Sequence, residues 1–372
     1  MDVKFAPAKR VAGQRQDVWS IVNEAAAASP VQPIVNMGQG FFGYNPPQFI
    51  IDAAKSMLSA FMGFIEPGDE VIIFEPFFDQ YLSNIEMPGG TIRYVPMHPP
   101  ADGAERTSSA ANWTIDFDEL EKAFNCKTKM IVLNSPHNPV GKVLNKEELT
   151  KIGELCLKHK VIILSDEVYD RLYYVPFTRI ATLSPELAKI TITVGSAGKN
   201  FYATGWRVGY LIGPPELIKY VAAAHTRICY SSVSPLQEAA AIGFAQADKV
   251  GFWDQQITEM KGKMDRFCQI FDELGIPYSV PEGGYFVLAN LSKVKLPEGY
   301  KFPDHVKDRP RDFKMSWFLI MELGVAAIPP SEFYTDERAH LAEDWMRFAV
   351  CKNDDVLEDA KDRLRGLKKY MT

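Results

Sequence analysis

Cysteine is scarce in this chain and scattered where it occurs. Five thiols in 372 residues, Cys126, Cys156, Cys229, Cys268 and Cys351, are odd in number and never fall in CxxC spacing, which excludes a disulfide framework and a zinc site. The six histidines form no ligand cluster, so no metal is expected. Positive charge is not in excess either: 41 Lys and Arg stand against 47 Asp and Glu, a net charge of -6. That leaves no basic stripe for a phosphate backbone, and nucleic acid is not an expected partner. No apolar run approaches the roughly 20 residues that span a bilayer, and the opening Met1-Asp-Val-Lys-Phe-Ala-Pro-Ala-Lys-Arg10 has no apolar core of a signal peptide. The expectation is a cytoplasmic protein without a membrane partner, a mitochondrial location being the alternative. Internal repeats and low-complexity linkers are lacking as well.

What is present is an ordinary globular composition, 47% hydrophobic and 24% charged, in a chain longer than one core usually serves. From about residue 70 to 213, short apolar runs alternate with helical patterns: Val71-Ile-Ile-Phe74, Ile92 to Val95, Met130 to Leu133, Val161 to Leu164, Ile190 to Val194 and Val208 to Ile212. Continuous hydrophobicity predicts strands covered on both faces, as in a mostly parallel sheet. Asp116 with Glu119, and Asn145 with Glu148, place a capping residue three positions before an acid and so predict helix starts. The fold class is α/β, with a large domain over 58–245. Beyond about 246 a long amphipathic stretch, Phe252 to Leu274, leads into Gly283-Gly-Tyr-Phe-Val-Leu288. This predicts a smaller α+β domain, built from 246–372 together with an N-terminal arm, 1–57.

Three constellations carry chemistry. Ile190 to Val194 runs out into Gly195-Ser-Ala-Gly-Lys199, with Arg207 eight positions on. Small residues let backbone and hydroxyl approach an anion closely. A lysine held there is poorly solvated, its pKa should fall, and its neutral amine can form an imine with a carbonyl. Upstream, Leu133-Asn-Ser-Pro-His-Asn-Pro-Val-Gly141 sets the amides Asn134 and Asn138 in a proline-framed turn, while His137 reads as a loop residue. In Leu164-Ser-Asp166-Glu-Val-Tyr169 an acid leaves an apolar strand, a costly place for a carboxylate unless a cation or donor meets it. Singly, each stretch has a plain structural reading: a turn, a helix N-cap, a solvated loop lysine.

Taken in order on successive strands, they closely resemble the fold-type I, pyridoxal-phosphate-dependent class I aminotransferases. Within these the chain is most similar to the kynurenine aminotransferase and cysteine-conjugate β-lyase branch, through Met37-Gly-Gln-Gly-Phe41, Glu66 to Val71, Phe74-Glu-Pro-Phe-Phe-Asp79, Asn134 to Gly141, Asp166 to Tyr169, Ser196 to Gly209 and Arg347-Phe-Ala-Val350. The resemblance implies pyridoxal 5′-phosphate as cofactor, held by Lys199 as an imine, with Lys199 moving the proton at Cα and Asp166 keeping the pyridine nitrogen protonated. It implies that Tyr169 and Asn138 hydrogen-bond the ring oxygen, and that Ser196 and Arg207 hold the phosphate. Arg347 would clamp the substrate α-carboxylate with Asn138 and the backbone at Gly40. Trp19, Phe41, Tyr44, Phe77 and Phe78 match positions near the substrate side chain, implying a bulky, aromatic or thioether amino acid and a 2-oxo acid acceptor. A homodimer is implied too.

One departure stands out. Between Ile51 to Ser56 and Leu58 to Ile65 the family carries several dozen further residues that this chain lacks. In relatives they include a loop with Asn-x-Tyr reaching the partner subunit's site, a first large-domain strand, and a Thr-x-Gly-Ala turn whose helix N-terminus holds the phosphate. The helix here is expected to begin near Ser56, and losing that N-terminus removes donors and dipole from the phosphate. The named residues serve transamination and β-elimination from cysteine conjugates equally. A short form that keeps the fold with impaired chemistry is the third reading. A serine acyl-transfer site, with Ser196 to Lys199 read as S-x-x-K, fails for want of a Lys-Thr-Gly strand or Ser-Asp-Asn loop.

Overall fold

Each apolar run of the first 213 residues becomes a strand, and the connections between them carry the helices. A computed structural model describes residues 17–39, 53–230 and 233–371. In chain order it forms α1 (Val18–Ala28), β1 (Val35–Asn36), α2 (Ala53–Phe64), β2 (Glu70–Glu75), α3 (Gln80–Glu86) and β3 (Thr91–His98). There follow β4 (Ser108–Ser109), β5 (Thr114–Ile115), α4 (Phe117–Ala123), β6 (Thr128–Asn134), α5 (Lys146–His159), β7 (Ile162–Asp166), α6 (Pro185–Ile190), β8 (Thr191–Ser196), α7 (Ala197–Asn200) and β9 (Gly209–Ile212). The remainder is α8 (Pro215–Ile228), α9 (Ser234–Ala247), α10 (Phe252–Leu274), β10 (Tyr278–Val280), β11 (Phe286–Asn290), α11 (Asp304–Lys307), α12 (Arg311–Phe318), β12 (Val325–Ala326), β13 (Trp345–Ala349) and α13 (Asp354–Leu364).

Seven strands make the main sheet in the order β5-β3-β2-β6-β7-β8-β9. The pairs from β3 to β8 are parallel, and the edges β5 and β9 run antiparallel to their neighbours. Alternate residues of a strand feed two different cores. Val71, Ile73, Met130, Val132, Leu164 and Ile192 pack on one face. Ile72, Phe74, Ile131, Leu133 and Ile163 pack on the other. Because side chains alternate across a strand, a run buried on both faces must be apolar throughout, which is why these strands lack a polar alternation.

The helix ends follow local chemistry. Asn145 and Glu148 form a reciprocal capping box on α5, and Asp116 accepts from the backbone N–H of Asp118 and Glu119 at the start of α4. Two expectations shift in detail. The helix expected near Ser56 begins at Ala53. Lys199, expected in a small-residue loop, lies on α7, a single turn of helix directly after β8.

A second sheet, β13-β11-β10-β4, draws β4 from the first third of the chain and the rest from beyond residue 277. A short parallel pair, β1 with β12, ties the N-terminal segment to the late part of the chain. The carboxyl ends of β6, β7 and β8 are where an open α/β sheet presents its binding crevice. Arg347, on β13, faces that crevice from the second sheet.

Candidate active site

One cavity of about 400 Å³ gathers Trp19, Phe78, Asn138, Asp166, Tyr169, Ser196, Lys199, Arg207 and Arg347, so nearly every candidate residue within the described parts of the chain meets in a single place. Gly40, Phe41 and Tyr44 lie outside the described residues. Phe77 is the exception among the aromatics: it is buried in the main core against Tyr94 and is not part of the lining.

Strand ends set the geometry. Asp166 is the last residue of β7, and its carboxylate accepts from the Tyr81 hydroxyl at 2.5 Å and from the backbone N–H of Val168 at 3.3 Å. Burial pushes its pKa up to about 6, against the pull of the Tyr81 hydrogen bond and of Lys199. At neutral pH the group is still mostly ionised. Asn134, ending β6, donates to the backbone oxygen of Asp166 at 3.0 Å and accepts from the N–H of Asn138 at 2.8 Å. The amide turn and the acid thereby become one unit.

Lys199 donates to the Tyr285 hydroxyl at 2.9 Å. Burial brings its pKa down to about 8, with the cations Arg207 and Arg347 pushing the same way. The expected drop in lysine basicity is therefore present. Tyr169 stands edge-on to Tyr285, centroids 5.3 Å apart, and burial raises its phenol above the usual range. Gly195 is required where it stands: a Cβ there would lie 2.2 Å from the ring of Tyr210 on the neighbouring strand. Arg207 has φ of +54°, left-handed backbone at a non-glycine residue, just after a short turn over Thr204–Trp206.

Arg347 donates through Nη1 to Asn138 Oδ1 and through Nη2 to the Gly38 carbonyl, both at 3.0 Å. Its guanidinium lies 4.3 Å from the centroid of Phe286 and 5.2 Å from that of Phe333. Burial lowers its pKa to about 10. Its Nε is buried without a hydrogen-bond partner among the described residues, a donor aimed at nothing yet supplied. Trp19 closes the aromatic side, its indole N–H 3.3 Å from Asp79 Oδ2. His137 is buried in the turn, and that burial brings its pKa down to about 3, so its imidazole stays neutral.

Sequence reasoning missed Tyr81, Tyr285, Phe286 and Phe333. Tyr81 follows the quoted Phe74-to-Asp79 stretch by two residues and sits in the first turn of α3. Tyr285 and Phe286 were visible only as members of a strand-like run. No local pattern says which of them faces a lysine from another sheet.

A parallel sheet with lysine, carboxylate and amide at adjacent strand ends, faced by a buried arginine, defines the aspartate-aminotransferase-like fold with a site suited to amine and carbonyl chemistry. The comparison with known proteins makes this specific. Residues 46–364 match the model of the aminotransferase class I and II family, and the chain belongs to that family. The chain is 46% identical to the probable kynurenine–oxoglutarate transaminase of Saccharomyces cerevisiae, over 96% of this chain and 93% of the relative. It is 34% identical to kynurenine–oxoglutarate transaminase 3 of Mus musculus, over 98% and 91%. The crystal structure of Bna3p from Saccharomyces cerevisiae superposes with a TM-score of 0.95 at 45% identity, covering 98% of this chain and 99% of that one. The yeast alignment spans 413 positions yet takes in 96% of a 372-residue chain, about 357 residues, so about 56 positions are gaps on this side. Several dozen positions of the relative's alignment thus have no counterpart in this chain.

The family is in general pyridoxal-phosphate-dependent. The donor set here fits such a group: a buried amine of lowered pKa, an ionised carboxylate in the same cavity, and Ser196, Thr204 and Arg207 on the lining as hydroxyl and guanidinium partners for a phosphate.

Proposed function

We propose that this aminotransferase moves the amino group of a bulky aromatic amino acid, kynurenine or a similar one, to a 2-oxo acid such as 2-oxoglutarate, using pyridoxal 5′-phosphate in a homodimer. The observation that carries this reading is the meeting of Lys199, Asp166, Tyr169 and Arg347 in one cavity with aromatic walls. The names of the yeast and mouse relatives support transamination over β-elimination. When bound, the cofactor supplies an electron-withdrawing ring that stabilises negative charge at the substrate Cα.

The chain's own groups do the rest. Asp166, ionised near neutral pH, would keep a proton on the ring nitrogen through a charge-assisted hydrogen bond. Tyr81 donates to the same carboxylate and keeps it aligned. Lys199, its basicity lowered by burial and Tyr285 its hydrogen-bond partner, would carry the proton between the substrate Cα and the cofactor's C4′, on the far side of the shared nitrogen. Tyr169 and Asn138 would hydrogen-bond the ring oxygen, while Ser196 and Arg207 would hold the phosphate. Arg347 binds the α-carboxylate, and Asn138 and Gly38 hold the guanidinium in position. Trp19, Phe78, Phe286 and Phe333 exclude water and accept a flat apolar side chain.

Purified protein incubated with pyridoxal 5′-phosphate, kynurenine and 2-oxoglutarate is expected to form glutamate, and Lys199→Ala is expected to form none. Glutamate production that is absent in the wild type, or unchanged in Lys199→Ala, would overturn the reading.

A further inference from the structure

Behind the crevice lies a network of buried charge. Glu167 and Asp170, both almost fully buried, follow Asp166 within one turn, the N–H of Asp170 donating to the Glu167 carbonyl at 2.9 Å. Two carboxylates so placed repel one another and are poorly solvated. One guanidinium bridges both: Arg179 pairs through Nη1 with Glu167 and through Nη2 with Asp170, the latter at 2.5 Å, while Arg171 Nε stands farther off, 4.0 Å from Asp170 Oδ2.

The other oxygens of these carboxylates point to the two functional strand ends. Glu167 Oε1 accepts from the Ser165 hydroxyl at 2.9 Å, and the Glu167 N–H donates to the Val194 carbonyl of β8 at 3.0 Å. Ser165 and Glu167 flank Asp166 on either side. Asp170 Oδ1 accepts from Asn200 Nδ2 at 2.9 Å, and Asn200 is the residue after Lys199. Gln256 of α10 donates to the Asn200 carbonyl at 2.7 Å and fixes that end of α7. A continuous path of charged hydrogen bonds thus runs from the acid's strand to the lysine's helix, with Arg179 at its centre.

We propose that Arg179 is a positioning residue for the aminotransferase reaction: by bridging Glu167 and Asp170 it holds the strand end bearing Asp166 in register with the helical turn bearing Lys199. This rests on the reading of Asp166 and Lys199 given above. Arg179 touches neither residue, and it lies against a second cavity, outside the crevice. Its influence therefore travels through the two carboxylates. A guanidinium fork is needed because one planar cation must address two acceptors at once, which an ammonium cannot do in fixed geometry.

The test uses full-length protein loaded with pyridoxal 5′-phosphate. The readouts are the dissociation constant of the cofactor, the pH midpoint of its absorbance when bound to Lys199, and the melting temperature. Arg179→Gln leaves the charges of Glu167 and Asp170 without their bridge beside the lysine's helix, so the midpoint is expected to move upward and the cofactor to bind about tenfold more weakly, one charged hydrogen bond's worth. Arg179→Lys is expected to restore the charge effect and only part of the affinity. Arg179→Gln that does not fold leaves Asn200→Ala, which cuts the link to the lysine's helix while Asp170 keeps its arginine; it is expected to fold with a lowered melting temperature and to bind the cofactor several-fold more weakly at a temperature where it is fully folded. A folded Arg179→Gln with wild-type midpoint and affinity overturns the proposal. So does a folded Asn200→Ala with wild-type affinity. Wild-type protein that takes up no cofactor overturns the underlying reading instead, and the two failures are told apart by that control.

Discussion

At the scale of single residues, the site concentrates groups that burial makes uncomfortable. Lys199 has its pKa brought down to about 8 and Asp166 has its own pushed up to about 6. For the lysine, the folded chain releases the proton more readily than the unfolded one. Its burden on stability is full below pH 8 and fades as pH rises from 8 toward 10.5. For the aspartate the folded chain holds the proton more firmly, so its burden sets in as pH rises from about 3.8 through 6. Both burdens act together at neutral pH. Lys199→Met, which fills the same space without a charge, is therefore expected to melt higher than the wild type at pH 7 when both are free of cofactor. The difference, on the order of 1–3 kcal/mol at about 1.4 kcal/mol for each tenfold change in proton affinity, should shrink by about pH 10. Thermal denaturation across that range checks it, and a wild type more stable than the variant at pH 7 would contradict it. The chemistry asked of Lys199 is thus bought with stability of the empty fold.

At the scale of elements, the turn Thr204–Trp206 and the residue that ends it, Arg207, bear the proposed grip on the cofactor's phosphate. Arg207 takes a left-handed backbone that costs a non-glycine residue about 1 kcal/mol. Arg207→Gly should relieve that conformation while losing the guanidinium. The expected outcome is a chain at least as stable as the wild type that binds pyridoxal 5′-phosphate more weakly by about tenfold or more, read by fluorescence titration. Elements of this kind were unevenly legible. The strands could be read because burial on both faces demands an uninterrupted apolar run, and α4 and α5 because a cap is written in residues three apart. Asp166, Lys199 and Arg347 were legible only through their joint resemblance to a family. Tyr81 and Tyr285 were not legible at all: the reach of a phenol to a partner 85 or 86 residues away depends on how elements pack. Lys199's place on a helical turn escaped for the same reason, since Gly198 and the small residues around it favour a loop locally.

At the scale of the whole molecule, the main sheet ends in β9, whose outer edge has no strand beside it among the described residues. Ile212 on that edge is 62% exposed, and Tyr220, Val233 and Ile242 on or beside the two following helices are exposed as well. An open edge with apolar side chains invites pairing between molecules. Light scattering is expected to rise with protein concentration on warming, and Ile212→Lys is expected to suppress that rise without altering the melting temperature. No difference between the two chains would contradict it. The position of Arg347 has a different kind of consequence. It holds the Gly38 carbonyl of the N-terminal segment and the Asn138 amide of the main-sheet crevice while standing on the second sheet. Three stretches distant in sequence are thus fastened by one side chain. A variant that gives up the guanidinium unfastens these stretches at the same moment that it would remove the proposed grip on the substrate's carboxylate, so a lost rate alone does not tell a missing grip from a loosened joint.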